Sequence, residues 1–105
     1  MGLIRTLNGV APKLGKDCFV AETATLIGRV MAGDNCSFWY GAVLRGDVCD
    51  LLLGDRVNIQ DGAVVHGTFE KSSTRIGNDV TVGHNAIVHG CVLHDNVLIG
   101  MGAIV

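Results

Sequence analysis

The chain holds a single proline, no pair of cysteines spaced C-x-x-C, and no run of about 18 apolar residues of the kind a membrane-spanning helix needs. Charged residues make up only 17%, with a net charge of -2, so nothing provides the basic footprint of a nucleic-acid binder. The opening M-G-L-I-R-T-L-N does not resemble a secretory leader. The four cysteines, Cys18, Cys36, Cys49 and Cys91, lie far apart, and reduced packing residues of a cytoplasmic protein are expected. Apolar residues at 49% exclude a disordered chain, and 105 residues suit one domain, 1–105. What the chain has in excess is glycine, 15 residues against the one proline. That ratio calls for many tight turns and leaves little room for helix.

The glycines punctuate a repeat. Residues 1–19 read as a lead-in, with an edge strand through Leu3 to Leu7 and a turn at Ala11-Pro12-Lys13. From Val20 apolar residues recur every six positions: Val20, Leu26, Ala32, Phe38 and Leu44, then after a nine-residue step Leu53, Ile59 and Val65. A loop over 67–75 interrupts, and the series resumes at Ile76, Val82 and Val88, then after a five-residue step at Leu93, Ile99 and Val105. Four residues after most anchors stands a small or β-branched residue, among them Ala24, Val30, Cys36, Ala42, Val48, Val57, Ala63, Val80 and Ala86. A helix face repeats at three and four residues and a half-buried strand at two, so a period of six fits neither. Each hexad predicts a short strand and a turn, with three hexads closing one triangular coil. Coils stack as parallel sheets with the anchors pointing inward.

Three of the four histidines can be placed by counting anchors. Val65 and Val88 are three anchors apart and share a face in successive coils, so His66 and His89, each one residue later, stand side by side on the outside. Counting back to Leu44 puts Arg45 in the same column. His84 and Gln60 belong to the preceding face, where His84 does not reach the pair within one chain. Two facing imidazoles are also an ordinary surface arrangement; three protomers around a common axis would let His84 of one complete the pair of the next. Three imidazoles with a position left for water make a catalytic zinc arrangement. His94 stands where a glycine usually follows the anchor and reads as a turn residue.

The period resembles the left-handed parallel β-helix of hexapeptide proteins, an all-β fold, from Gly9 onward. Trp39, the string Gly41-Ala42-Val43-Leu44-Arg45-Gly46-Asp47, the string Ile59-Gln60-Asp61-Gly62 and the histidine set resemble the γ-class carbonic anhydrase family, its short-loop members most of all. The resemblance implies reversible hydration of CO2 to bicarbonate by a homotrimer. Zn2+ would be held by His66 and His89 of one subunit and His84 of its neighbour, and would lower the pKa of its water towards about 7. Fe2+ or Co2+ suits the same ligands. The resemblance also gives Arg45 and Asp47 a place at the subunit interface and Gln60 a place beside the metal water. Asp47 and Asp61 would orient a histidine Nδ1–H; a surface ion pair is the plainer reading of Arg45 and Asp47. Two features depart from the family pattern. Val48 stands where a carboxylate follows the Arg-x-Asp, and the loop carries Glu70 as its one carboxylate, so rapid proton export is not implied. The chain also stops in mid-repeat, where the family continues through further coils and a C-terminal helix; a shortened chain is expected. Two alternatives stay open: a hexapeptide acyltransferase using coenzyme A, and a non-catalytic trimeric assembly protein that keeps its metal.

Overall fold

A computed structural model describes residues 2–67 and 73–105. Among them are thirteen strands and no helix, so none is present that could cross a membrane. In chain order they are β1 (Leu3–Arg5), β2 (Lys13–Leu14), β3 (Phe19–Val20), β4 (Thr25–Ala32), β5 (Ser37–Phe38), β6 (Val43–Leu53) and β7 (Asn58–Ile59). The series continues with β8 (Val64–His66), β9 (Thr74–Ile76), β10 (Thr81–Val82), β11 (Ile87–His89), β12 (Val92–Leu93) and β13 (Leu98–Ile99).

Every strand pairing is parallel, one coil to the next, which makes a β-helix. The hexad anchors set its three faces. Leu26, Leu44, Val65 and Val88 align along β4, β6, β8 and β11. Ala32, Leu53, Ile76 and Leu93 align along the far halves of β4 and β6 and along β9 and β12. Val20, Phe38, Ile59, Val82 and Ile99 align along β3, β5, β7, β10 and β13. Side chains alternate along a strand, so the anchors fill the prism and their neighbours face out. The filling is wholly apolar apart from Thr74, the one buried polar side chain among the described residues.

The irregular steps have physical identities. At one corner β4 passes between paired Gly28 and Val30 with Arg29 alone, whereas β6 spends Asp47 to Asp50 between Gly46 and Leu51. Those three additional residues are the nine-residue step. They displace Val48 from the expected inner register to a half-buried place in the bulge, and Leu51 packs beside Val30 instead. The five-residue step is the tight corner at Gly90, with φ of 56°.

Three expectations are revised. The stretch 1–19 is no mere lead-in, because β1 and β2 pair with β4 and β3 pairs with β5. The early turn lies at Asn8-Gly9, with φ of 50° and 77°, inside an antiparallel Leu7–Val10 bridge; Lys13 belongs to β2. Asn-Gly is the dipeptide that supplies such a turn at little steric cost. The loop expected over 67–75 ends earlier, since Thr74 and Arg75 open β9.

A ladder of Asx side chains ties the corners together. Asp34 accepts from Lys16 N–H, Asp55 from Asp34 N–H, Asn78 from Asp55 N–H, and Asp95 from Asn78 N–H, each at 2.8 Å. The glycine before each rung leaves the space its partner occupies: a Cβ on Gly54 would run into Asn78 Oδ1 and lie 3.0 Å from the Gly77 carbonyl carbon. Gly54→Ala should therefore cost about 1–3 kcal/mol in chemical denaturation, as overpacking does. Gly100→Ala, whose methyl meets nothing within 4 Å, should stay within about 0.5 kcal/mol of the parent. Equal losses in the two variants would refute the ladder as the reason for glycine here.

Candidate metal centre

The pairing of β6, β8 and β11 sets Arg45, His66 and His89 in one outward column, with Arg45 opposite His66 and His66 opposite His89. The two imidazole rings lie 5.3 Å apart, tilted by 42°. The bulge that lengthens β6 brings Asp47 back over this column, where Oδ1 sits 2.8 Å from His66 Nε2. Asp47 Oδ2 lies 3.4 Å from Arg45 Nε, so guanidinium, carboxylate and imidazole form a chain across the face. Between Arg45 and Asp47 only glycine fits, because a Cβ on Gly46 would come within 2.5 Å of the Arg29 carbonyl oxygen.

Burial, the largest single influence on Asp47, pushes its carboxyl up. The hydrogen bond with His66, the Arg45 charge and its own backbone N–H outweigh that and hold it below the usual carboxylate range. An ionised carboxylate only accepts, so the His66 nitrogen facing it carries a proton, and in the neutral ring the lone pair then sits on the other nitrogen. The expectation for Asp47 named Nδ1–H; the nitrogen it meets is Nε2.

The third histidine is elsewhere. His84 follows β10 on the five-stranded face, and with Trp39, Asn58, Gln60 and Asp61 it lines a surface pocket of about 250 Å³. Asp61 Oδ1 stands 3.4 Å from His84 Nδ1, with both side chains nearly half exposed. The sequence reading missed Asn58. Its Oδ1 accepts hydrogen bonds from Trp39 Nε1 at 2.7 Å and from Ser37 Oγ at 3.1 Å. The available signal was its spacing: two residues before Gln60, it shares the outward side of the same segment.

Among the described residues no three His, Cys, Asp or Glu side chains come together as a metal cluster. One chain presents two incomplete halves, an imidazole pair with its carboxylate and, on another face, a lone imidazole beside an amide. The donor chemistry fits a divalent ion held by neutral imidazoles, two from adjacent coils, provided the third arrives from outside the chain. The cysteines do not compete. All four are free, and the Cys36 thiol is pushed up to about 11, chiefly by burial. His94 is exposed just before a turn, and Glu70 lies outside the described residues.

The family description "Bacterial transferase hexapeptide (six repeats)" matches residues 73–105. The chain is 47% identical to the gamma carbonic anhydrase 2, mitochondrial, of Arabidopsis thaliana, over 94% of its own length and 38% of that protein. It is 38% identical to a carbonic anhydrase of Geobacillus kaustophilus, over 98% of its length and 56% of that protein. The chain thus spans about half the length of these curated relatives, or less. The crystal structure of a hexapeptide transferase family protein from Anaplasma phagocytophilum superposes with a TM-score of 0.79 at 32% identity, covering 97% of this chain and 74% of that one.

Because the folded state holds the Asp47 carboxyl low, the stability it contributes is present above about pH 4 and is lost as the pH falls through the depressed value. In metal-free protein, Asp47→Asn should be less stable than the parent at pH 7. The two denaturation curves should converge as the pH falls through the depressed value, where the parent carboxyl also becomes neutral. A gap that does not narrow at all on acidification below about pH 4 would contradict this account.

Proposed function

The chain belongs to the hexapeptide-repeat family, on the branch of the γ-class carbonic anhydrases, and from that premise we propose that it is a metal-dependent carbonic anhydrase-like enzyme interconverting CO2 and bicarbonate. The reading rests on one observation: His66 and His89 stand in register on one face, with no third histidine beside them and no complete metal cluster among the described residues, while His84 stands on another face in a pocket with Gln60. In a homotrimer with the faces of neighbouring chains opposed, His66 and His89 of one subunit and His84 of the next would hold Zn2+, with Fe2+ or Co2+ as substitutes. When bound, the ion supplies acidification of a water at neutral pH.

The remaining work falls to the chain's own side chains. Asp47 fixes the His66 ring and its tautomer, and Arg45 holds Asp47 against its own desolvation. Gln60 carries both a donor and an acceptor into the pocket, suited to orienting an oxygen of CO2 or bicarbonate; Asp61 steadies His84. Trp39 gives that pocket an apolar wall, which suits an uncharged substrate.

The likeness to a hexapeptide transferase family protein favours a second reading, acyl transfer from coenzyme A. One histidine would serve there as general base, which leaves the in-register pairing of His66 with His89 without a task. CO2 hydration measured beside acetyl-CoA consumption separates the two, and metal without hydration activity would instead indicate an assembly protein.

A shared site predicts complementation. His66→Ala and His84→Ala should each lose metal, because every site in either homotrimer lacks a ligand. Refolded together they form mixed trimers in which the His84→Ala chain offers intact His66 and His89 to the intact His84 of its neighbour. Metal binding and hydration should then return to one site in each mixed trimer. Verified mixed trimers without metal would sink the shared site and the function built on it.

A further inference from the structure

Thr74 is out of place by composition. In the register of Val30, Leu51 and Cys91, it occupies an inward corner position that its neighbours fill with apolar or weakly polar side chains. It is fully buried and, among the described residues, the one buried polar side chain. A hydroxyl in such a place survives only if its hydrogen bonds are made. They are: Thr74 Oγ1 donates to the His66 carbonyl at 2.7 Å and accepts from Gly90 N–H at 2.9 Å. Gly90 N–H also lies 3.1 Å from the His66 carbonyl, which closes a small ring of bonds.

The position of that ring is informative. His66 is the last residue of β8, and Thr74 is the first residue of β9, the next strand in the chain. Gly90 follows His89, the end of β11. One hydroxyl therefore joins the end of one histidine strand, the start of the next strand, and the residue just beyond the other histidine. Valine would match the shape and satisfy the apolar register, and it would lose both bonds.

We propose that Thr74 is the positioning residue of the imidazole pair, fixing the backbone spacing and twist of His66 against His89 at the corner between β8 and β9. The inference rests on the metal reading above and extends it to a residue that touches no ligand. Positioning groups of this kind change metal affinity by about 10- to 100-fold.

The test is Co2+ binding to the assembled full chain, followed by its visible absorption and by competition with a chromophoric chelator. Thr74→Val should bind Co2+ at least about tenfold more weakly, with an altered absorption envelope. Thr74→Ser, which keeps the hydroxyl, should match the parent in both. Should the valine variant fail to assemble, Thr74→Cys, whose thiol is a weak hydrogen-bonding group, replaces it and should bind Co2+ more weakly than Thr74→Ser; equal affinity in the two would overturn the role. Val30→Ala, two coils away and also fully buried, controls for lost stability and should leave Co2+ affinity unchanged. Parental affinity and spectrum in Thr74→Val, or an equal loss in Val30→Ala, would overturn the role of Thr74 and leave the metal reading standing. A parent chain that binds no Co2+ would remove both.

Discussion

Everything in this molecule depends on the parallel backbone ladder that runs from each coil to the next. Those hydrogen bonds hold residues 17 to 23 positions apart in sequence side by side at one strand spacing, about 4.8 Å. An apolar anchor at each level keeps the ladder in register, because a slip of one residue would turn every anchor out to water. The Asx rungs at one corner add a second ladder, made of side chains, in the same direction. A scaffold held this way is stiff along its axis, and whatever projects from it inherits that precision.

The chemistry collects where the repeat breaks. The bulge in β6 frees Asp47 to fold back on His66, while the regular crossing in β4 offers only Arg29 at the same corner. The tight turn at Gly90 and the interruption after Gly67 flank the two histidines. Regular hexads bury their anchors and leave outward side chains evenly spaced; only a departure from the period lets one side chain cross its column and meet another. Thr74 serves one such departure, since its hydroxyl satisfies the His66 carbonyl and the Gly90 N–H at that corner.

The two halves of the proposed site lie on different faces of one prism, and geometry forbids a single chain from closing them. Two imidazoles on adjacent coils can converge on one ion, but a third from the next face points away by the angle of the corner. Association with copies of itself is therefore built into the proposed chemistry. The exposed apolar side chain of Ile87, outward on the histidine face, gives such a contact something to bury.

The sequence by itself determined the period, the three faces and the column of Arg45, His66 and His89, because a repeat with one inward residue per strand reduces placement to counting. It also separated His84 from that pair. Tertiary structure alone decided what happens at the irregular positions. Nothing in the spacing says that Asp47 would meet the Nε2 side of His66, that Asn58 would be pinned by Trp39 and Ser37, or that Thr74 would turn inward to bridge His66 and Gly90. The first coil was legible only as an edge strand, since Leu3 to Arg5 carries too few anchors to declare a period; its place in the stack follows from its pairing with β4. The physical reason is the same in each case. Periodicity encodes the direction of a side chain relative to the backbone, whereas contacts across a bulge, a corner or an interrupted coil depend on distances that exist only once the coils have stacked.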